Sequence, residues 1–296
     1  MLIPVVFGVV TLVFAFLRIM PGDPAVMMLG EQAKQTDIEQ MRKQLGLEGS
    51  LHEQYFSYLK ALAKGELGES FLKREPVSQL VWERLGATFE LALASMLVAM
   101  VVAFPLGVLS ARRAGSVVDS VAGAFSLLGV SLPNFWLGPM LIILFSIKLG
   151  LTPVSGGGSW QYLILPAVTL GGSLAGILAR LTRSGLLEVL NSPYVRTARA
   201  KGASEKRVVC LHALRNALLS VITVMGIQFG VLLGGAVITE TVFSWPGIGL
   251  LLIEAINARD YPLVQGCVLT IAVSYVIVNL ITDLTYAVVD PRIRYQ

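Results

Sequence analysis

The sequence predicts an all-α integral membrane protein with six transmembrane helices, both termini cytoplasmic, and a helical external layer between spans 1 and 2. Three observations predict it. The 296 residues are 55% hydrophobic and only 14% charged, with a mean hydropathy of +0.73, whereas soluble domains carry about 25% charged residues. Six apolar stretches approach or exceed the roughly 20 residues that a bilayer span needs. Basic residues gather in alternate short loops, which marks the cytoplasmic face. The same composition excludes a disordered chain and a basic nucleic-acid-binding domain, and the net charge of +4 fits basic loops beside a membrane.

The first span is Leu2–Ile19, read as retained because Pro21-Gly22-Asp23-Pro24 stands where a signal-peptide cleavage site would be. Residues 22–87 form a long outer segment. Asp37–Leu47 and Leu51–Ala63 carry helical patterning there, punctuated by Gly46, Gly49, Gly65 and Gly68. Span 2 is Thr88–Ser110. Span 3, Val117–Ile147, is too long for one straight helix, and Pro133-Asn134 predicts a break within it, since proline removes a backbone donor and clashes with the preceding turn. Spans 4, 5 and 6 are Tyr162–Ala179, Asn216–Thr239 and Leu263–Val289.

Arg112 and Arg113, then Arg180, Arg183, Arg196, Arg199, Lys201, Lys206, Arg207 and Arg215, and finally Arg292 and Arg294 fall on one side. The opposite short loops hold Lys148 and Arg259. The first side is therefore cytoplasmic. Cys210 falls inside and Cys267 near the outer surface, so the two do not pair. Small residues recur every four positions at Ala99, Ala103, Gly107 and Ala111, and at Gly226, Gly230 and Gly234. This spacing lets helix backbones approach closely, either within the subunit or across an interface.

Catalytic constellations are missing from the sequence. No phosphate-binding lysine loop occurs, and Ser155–Ser159 reads as a flexible glycine turn. No nucleophile elbow or metal-binding histidine pair occurs. Two histidines far apart and no C-x-x-C leave no metal site. A membrane-embedded enzyme thus lacks its chemistry. Glu90 and Asp119 fall at span ends, Glu240 near the outer end of span 5, and Asp283 about two turns from the inner end of span 6. Acids at membrane depth are functional candidates by default, so Glu240 and Asp283 keep open a proton-coupled secondary transporter. Gln228 on span 5 and Asn134 at the span 3 break are the neutral candidates to line a pathway.

The inner loop Ser184–Asn216 is the most informative stretch. Ser192-Pro193 reads as a helix start with a capping hydroxyl and proline in the first turn. Tyr194 to Lys201 gives two turns, Gly202 suits a left-handed stop, and Ser204 caps a second helix through Val208 and Leu211. This basic helix, turn and helix mixed with Tyr194, Val195, Val208 and Val209 suggests a docking surface.

These residues resemble the cytoplasmic EAA loop of type I ABC importer permeases, with Gly202 at the turn of the coupling helix, although Arg196-Thr197-Ala198 stands where the general pattern has Glu-Ala-Ala. YVRTARAKG (194–202) and HALRNA (212–217) are similar to the dipeptide/oligopeptide/nickel permease subfamily. So are Pro21–Pro24, Leu45-Gly46-Leu47, Gly65-Glu66-Leu67-Gly68, Phe243–Gly247, Arg259–Pro262 and Asp290–Arg294. Members usually carry a few more residues before span 1.

The resemblance implies a division into a first helix plus outer segment (1–87), a five-helix core (88–290) with the coupling loop 184–216, and a cytoplasmic tail (291–296). It implies that Pro193, Tyr194, Arg196, Thr197, Ala198, Arg199, Ala200, Lys201, Gly202 and Ser204 form the ATPase-coupling site. It implies a bacterial inner-membrane permease that pairs with a second homologous permease, two cytoplasmic ATPases that hold ATP and magnesium, and an external substrate-binding protein. No cofactor is expected in this chain itself. Di- or oligopeptides rank first as substrate, with nickel or a nickel chelate second.

Overall fold

The structure is a computed structural model that describes residues 2–19, 24–30 and 33–289. Pro21-Gly22-Asp23, the ending Asp290–Arg294 and the tail 291–296 lie outside the described residues. In chain order the helices are α1 (Leu2–Ile19), α2 (Pro24–Leu29), α3 (Gln35–Gln44), α4 (Leu51–Ala63), α5 (Val77–Arg112), α6 (Val117–Ser131) and α7 (Asn134–Leu141), which continues as a π-helical stretch, Ile142–Lys148. Then follow α8 (Trp160–Leu190), α9 (Pro193–Ala200), α10 (Glu205–Arg207), a second π-helical stretch (Val208–Ala213), α11 (Leu214–Gly235), α12 (Val237–Phe243), α13 (Ile248–Asn257) and α14 (Tyr261–Val289). Among the described residues strand structure is confined to an isolated bridge between Glu69 and Pro76.

Val77–Arg112, Trp160–Leu190, Glu205–Gly234 and Tyr261–Thr285 are each long and apolar enough to cross a membrane, and α6 with α7 and its π-helical continuation is together apolar enough but bent by 103° at the break. The break falls at Pro133, as its chemistry predicts: Pro133 is extended (φ −65°, ψ 137°) and precedes the first residue of α7. Several helices outrun the apolar stretches that announce them. α5 begins 11 residues before Thr88, and α8 runs on to Leu190, because polar ends of a long helix remain helical in water. Glu90, read as a span-end acid, is therefore well inside α5 on an exposed face.

The chain divides into two compact units. The first comprises residues 1–88 and 246–276. Its apolar core joins Val77, Leu80 and Val81 to Ile248, Leu251, Ala255, Leu263 and Cys267. α1 is held to α4 by Phe14, whose ring lies 5.0 Å from Tyr55 and 5.6 Å from Tyr58, and by a Thr11–Tyr55 hydroxyl contact of 2.7 Å. α4 starts on a capping box in which Ser50 and Glu53 satisfy each other's backbone amides.

The second unit comprises residues 89–245 and 277–296. α8 is its central helix, packed on α6 and α11. The small-residue stripe of α5 faces inward: Ala99 and Ala103 are fully buried, and a Cβ on Gly107 would meet the Ala179 carbonyl at 2.8 Å. Gly226 likewise abuts the Thr282 side chain of α14, and Gly230 is buried while Gly234 is partly so. Gly107 and Gly226 thus pack within the subunit.

The segment after Thr239, read as the outer end of span 5 and a loop, is instead helical as α12 and α13. α11 ends at Gly235, and α12 ends on Ser244 in the left-handed conformation (φ 50°). Two residues later Pro246 cannot continue a helix, so the chain restarts at Ile248, whose amide donates to Thr88 Oγ1 at 2.9 Å.

Candidate functional site

The basic loop folds much as its punctuation indicates, with two corrections. α9 opens on proline and closes at Gly202, whose φ of +83° is the left-handed value that a side chain strains to adopt. Ser192, however, does not cap it: its hydroxyl donates backwards to the Val189 carbonyl at 2.6 Å. Nor does Ser204 cap a separate second helix by its side chain. Residues 205–213 run straight into α11 through the π-helical stretch, so the second helix is the N-terminal end of span 5.

α9 is anchored at two points. Val195 is completely buried. Tyr194 donates its hydroxyl hydrogen to the His212 carbonyl at 3.1 Å and accepts from Asn216 Nδ2 at 2.7 Å. The rest of the helix faces outward: Pro193, Tyr194, Arg196, Thr197, Arg199 and Ala200 are exposed, as are Lys201, Gly202 and Ser204 beyond it, with Ala198 half-buried. Arg199 is not a free charge. It grips Glu205 across the Gly202 turn, Nε to Oε1 at 2.7 Å, and that partner raises its pKa. The two signatures YVRTARAKG and HALRNA are thus one structural unit, joined by Tyr194. The sequence hinted at this only through their shared polar residues, because the contacts span about 20 positions. Beneath this unit lies a small core of Ala111, Leu186, Val209, Ala213 and Ala217.

The structure brings two of the pathway candidates together. Asn134, at the start of α7, and Gln228 of α11 line one cavity of about 200 Å³, with Ser173 of α8 as a third polar wall. Asn134 Oδ1 is buried there without a hydrogen-bond partner among the described residues, an arrangement that costs free energy unless something binds. Glu240 does not join them. It belongs to α12 and its side chain is fully buried, away from the cavity lining. Asp283 lies on an exposed face of α14. Ser173 had no sequence signal beyond being a hydroxyl among glycines.

Two ion-dipole knots escaped sequence reasoning. Asp119, in the first turn of α6, is gripped by Arg183 of α8 through two bonds of 2.7 Å, by the Gly115 amide at 2.9 Å and by the Ser110 hydroxyl of α5. In the first unit, Asp260 is 1% exposed and accepts from Ser70 Oγ at 2.6 Å, the Leu72 amide at 3.1 Å and the Leu263 amide at 3.2 Å. This places the Gly65–Gly68 and Arg259–Pro262 signatures side by side, with Gly68 against Pro262. The cysteines are both unpaired, Cys210 exposed and Cys267 buried.

Long apolar helices, a bent helix pair beside a cavity with three polar residues in its wall, and an exposed basic helix between two of the long helices are the parts of a transporter's membrane subunit. Residues 103–295 match the family of binding-protein-dependent transport system inner membrane components, and residues 1–92 match the N-terminal component of such systems. The di/tripeptide transport system permease DppB of Pseudomonas aeruginosa is 46% identical over all of this chain and 97% of its own length. The glutathione transport system permease GsiC of Escherichia coli K12 is 42% identical over all of this chain and 96% of its own. Among solved structures, a chain of the MetNI methionine ABC transporter, facing inward, aligns with a TM-score of 0.60 at 21% identity, over 72% of this chain and 97% of its own. An amino acid ABC transporter solved with histidines aligns at 0.54 and 15% identity, over 73% and 95%. The fold is that of the type I ABC importer permeases. The chain belongs to the binding-protein-dependent transport family as an inner-membrane permease component, a transport subunit and not an enzyme. Transport in this family depends on a binding protein.

Proposed function

We propose that this chain is the permease subunit of an ATP-driven importer of di- and oligopeptides, forming half of the translocation pathway beside a second, homologous permease. The peptide assignment is supported by the di/tripeptide and glutathione permeases it resembles over its full length. A substrate-binding protein delivers the peptide outside. Two ATPase subunits holding ATP and magnesium dock inside, on the same side as both termini. The full-length likeness to peptide permeases and the family's use of a binding protein support this reading over a proton-coupled transporter acting through Glu240 or Asp283.

The observation that carries the coupling role is α9 itself. A two-turn helix with one buried valine, one tyrosine tie and an otherwise exposed basic face is a poor core element and a good docking element. Its stop at Gly202 is set by the left-handed turn, which the exposed Arg199–Glu205 pair spans. Force applied to α9 passes through Tyr194 to the inner end of α11. That helix carries Gln228 at the polar cavity, so a push at the loop reaches the groups beside the broken span.

The test is Gly202→Pro in the reconstituted complex, with labelled dipeptide as substrate. Proline fixes φ near −65° and cannot adopt the observed +83°. Peptide uptake is expected to fall at least tenfold while membrane insertion persists and ATP hydrolysis loses its response to loaded binding protein. Unchanged uptake with normally stimulated hydrolysis would remove the coupling role from α9. Uptake of nickel but of no peptide by the unmodified complex would remove the substrate assignment and leave the coupling role standing.

A further inference from the structure

Two further cavities of the second unit adjoin α11. One, of about 700 Å³, opens beside the basic loop and is walled by Tyr194, His212, Arg215 and Asn216 at its polar end and by Leu218 and Leu219 deeper in. The other, of about 410 Å³, is almost wholly apolar and lies between α5, α11 and α14, with Leu93, Met96, Met225 and Ile281 among its walls. Ile222 lines both. The α11 residues concerned, 215, 216, 218, 219, 222, 223, 225, 226 and 229, lie along one broad side of the helix. The cavities are therefore successive parts of one groove along α11.

Its dimensions and chemistry are graded. From Arg215 to Phe229 the helix rises about 21 Å at 1.5 Å per residue, compared with about 15 Å for half of a 30 Å hydrocarbon core. The floor is the close contact of Gly226 with Thr282. The deep end is stopped by Phe89 and Phe229, packed edge to face at 5.7 Å. The mouth carries Arg215, which is exposed and pairs with no carboxylate among the described residues, together with the His212 ring and the Asn216 amide. A cationic mouth at a membrane boundary above an apolar slot of leaflet depth complements a molecule with an anionic head and a long hydrocarbon tail.

We propose that this groove binds one anionic phospholipid from the leaflet that meets the basic loop, its phosphate against Arg215 and one acyl chain running along α11 past Ile222 to Phe229. Basic pockets between membrane helices recognise anionic headgroups in this way. Because Tyr194 and Asn216 form part of the mouth and also tie α9 to α11, the lipid sits against the joint between loop and span. It would brace that joint when bound.

The experiment uses the intact transporter, extracted in mild detergent and examined by native mass spectrometry, then titrated with phosphatidylglycerol or phosphatidylcholine. One phosphatidylglycerol retained per copy of this chain is expected, with phosphatidylcholine retained far less. Arg215→Glu should lower retention at least about fivefold, the weight of one basic side chain against an anionic lipid surface. Ile222→Trp, which blocks the slot at its waist, should do the same, whereas Arg113→Glu elsewhere on the basic side should not. Equal retention of both lipids, or retention indifferent to Arg215→Glu and Ile222→Trp in folded complexes, would overturn the proposal. So would a photo-crosslinker at Leu219 that captures the second permease in place of lipid, since the groove would then be a subunit interface.

Discussion

At the scale of single residues, Gly226 and Glu53 show how much rests on small groups. A methyl at Gly226 would enter the space of the Thr282 side chain, and neither backbone can retreat while α11 and α14 stay packed. Gly226→Ala is expected to destabilise the subunit by about 1–3 kcal/mol, the usual cost of overpacking, read as a lower melting temperature in detergent, with partial recovery in the Gly226→Ala/Thr282→Ala double variant. Full stability of the single variant would mean that the two helices do not meet there. Glu53 acts through charge. The Ser50 amide, and then its hydroxyl, hold the Glu53 carboxyl below its usual pKa. The cap is therefore at full strength above the ordinary glutamate value and weakens as pH falls through the lowered one. Hydrogen exchange, corrected for intrinsic rate, should show amides of the first turn of α4 losing protection on acidification. Glu53→Gln, which can still complete a capping box, should remove that pH dependence. Persistence of the dependence in the glutamine variant would assign it to another group.

At the scale of elements, the two arginine–carboxylate pairs look alike on paper and differ in consequence. Arg199–Glu205 is exposed on both sides, 39% and 57%, and joins residues six apart across one turn. Arg183–Asp119 leaves its carboxylate only 11% exposed and unites α5, α6 and α8. Exposed pairs contribute little, being screened by water, whereas a hydrogen bond to a sheltered charge contributes more. Asp119→Ala should therefore lower the melting temperature of the complex clearly, and Glu205→Ala hardly at all. A reversed order of the two shifts would show that the knot at Asp119 is not what holds these helices. The same contrast explains what the sequence hid. The α9–Gly202 turn is written in neighbouring residues, Pro193 and Gly202, and was legible. The partner of Asp119 lies 64 positions away on α8, and no local pattern points to it.

At the scale of the whole molecule, hydropathy announced the six apolar segments and Pro133 announced the break in the third, because both signals are local. The helices α12 and α13 were not legible: they are short, α12 contains the buried Glu240, and each owes its form to the packing of its own unit. The meeting of Asn134 with Gln228 follows from which faces α7, α8 and α11 turn together, a matter of tertiary packing alone. The π-helical stretch Val208–Ala213, marked by the Leu214 amide reaching back five residues to the Val209 carbonyl, was also invisible. A π-helical turn accommodates one residue more than an α-turn while leaving the flanking helix faces aligned. It is thus a place where the chain length can change without turning α9 away from α11. Deleting the exposed Cys210 should convert the stretch to plain α-helix and leave peptide uptake largely intact, whereas deleting Ile227 should rotate everything beyond it by about 100° and abolish uptake. Equal loss in both would refute this reading. The wide turn is a spare link in the chain, a point where length is negotiable in a segment that otherwise tolerates no change of phase.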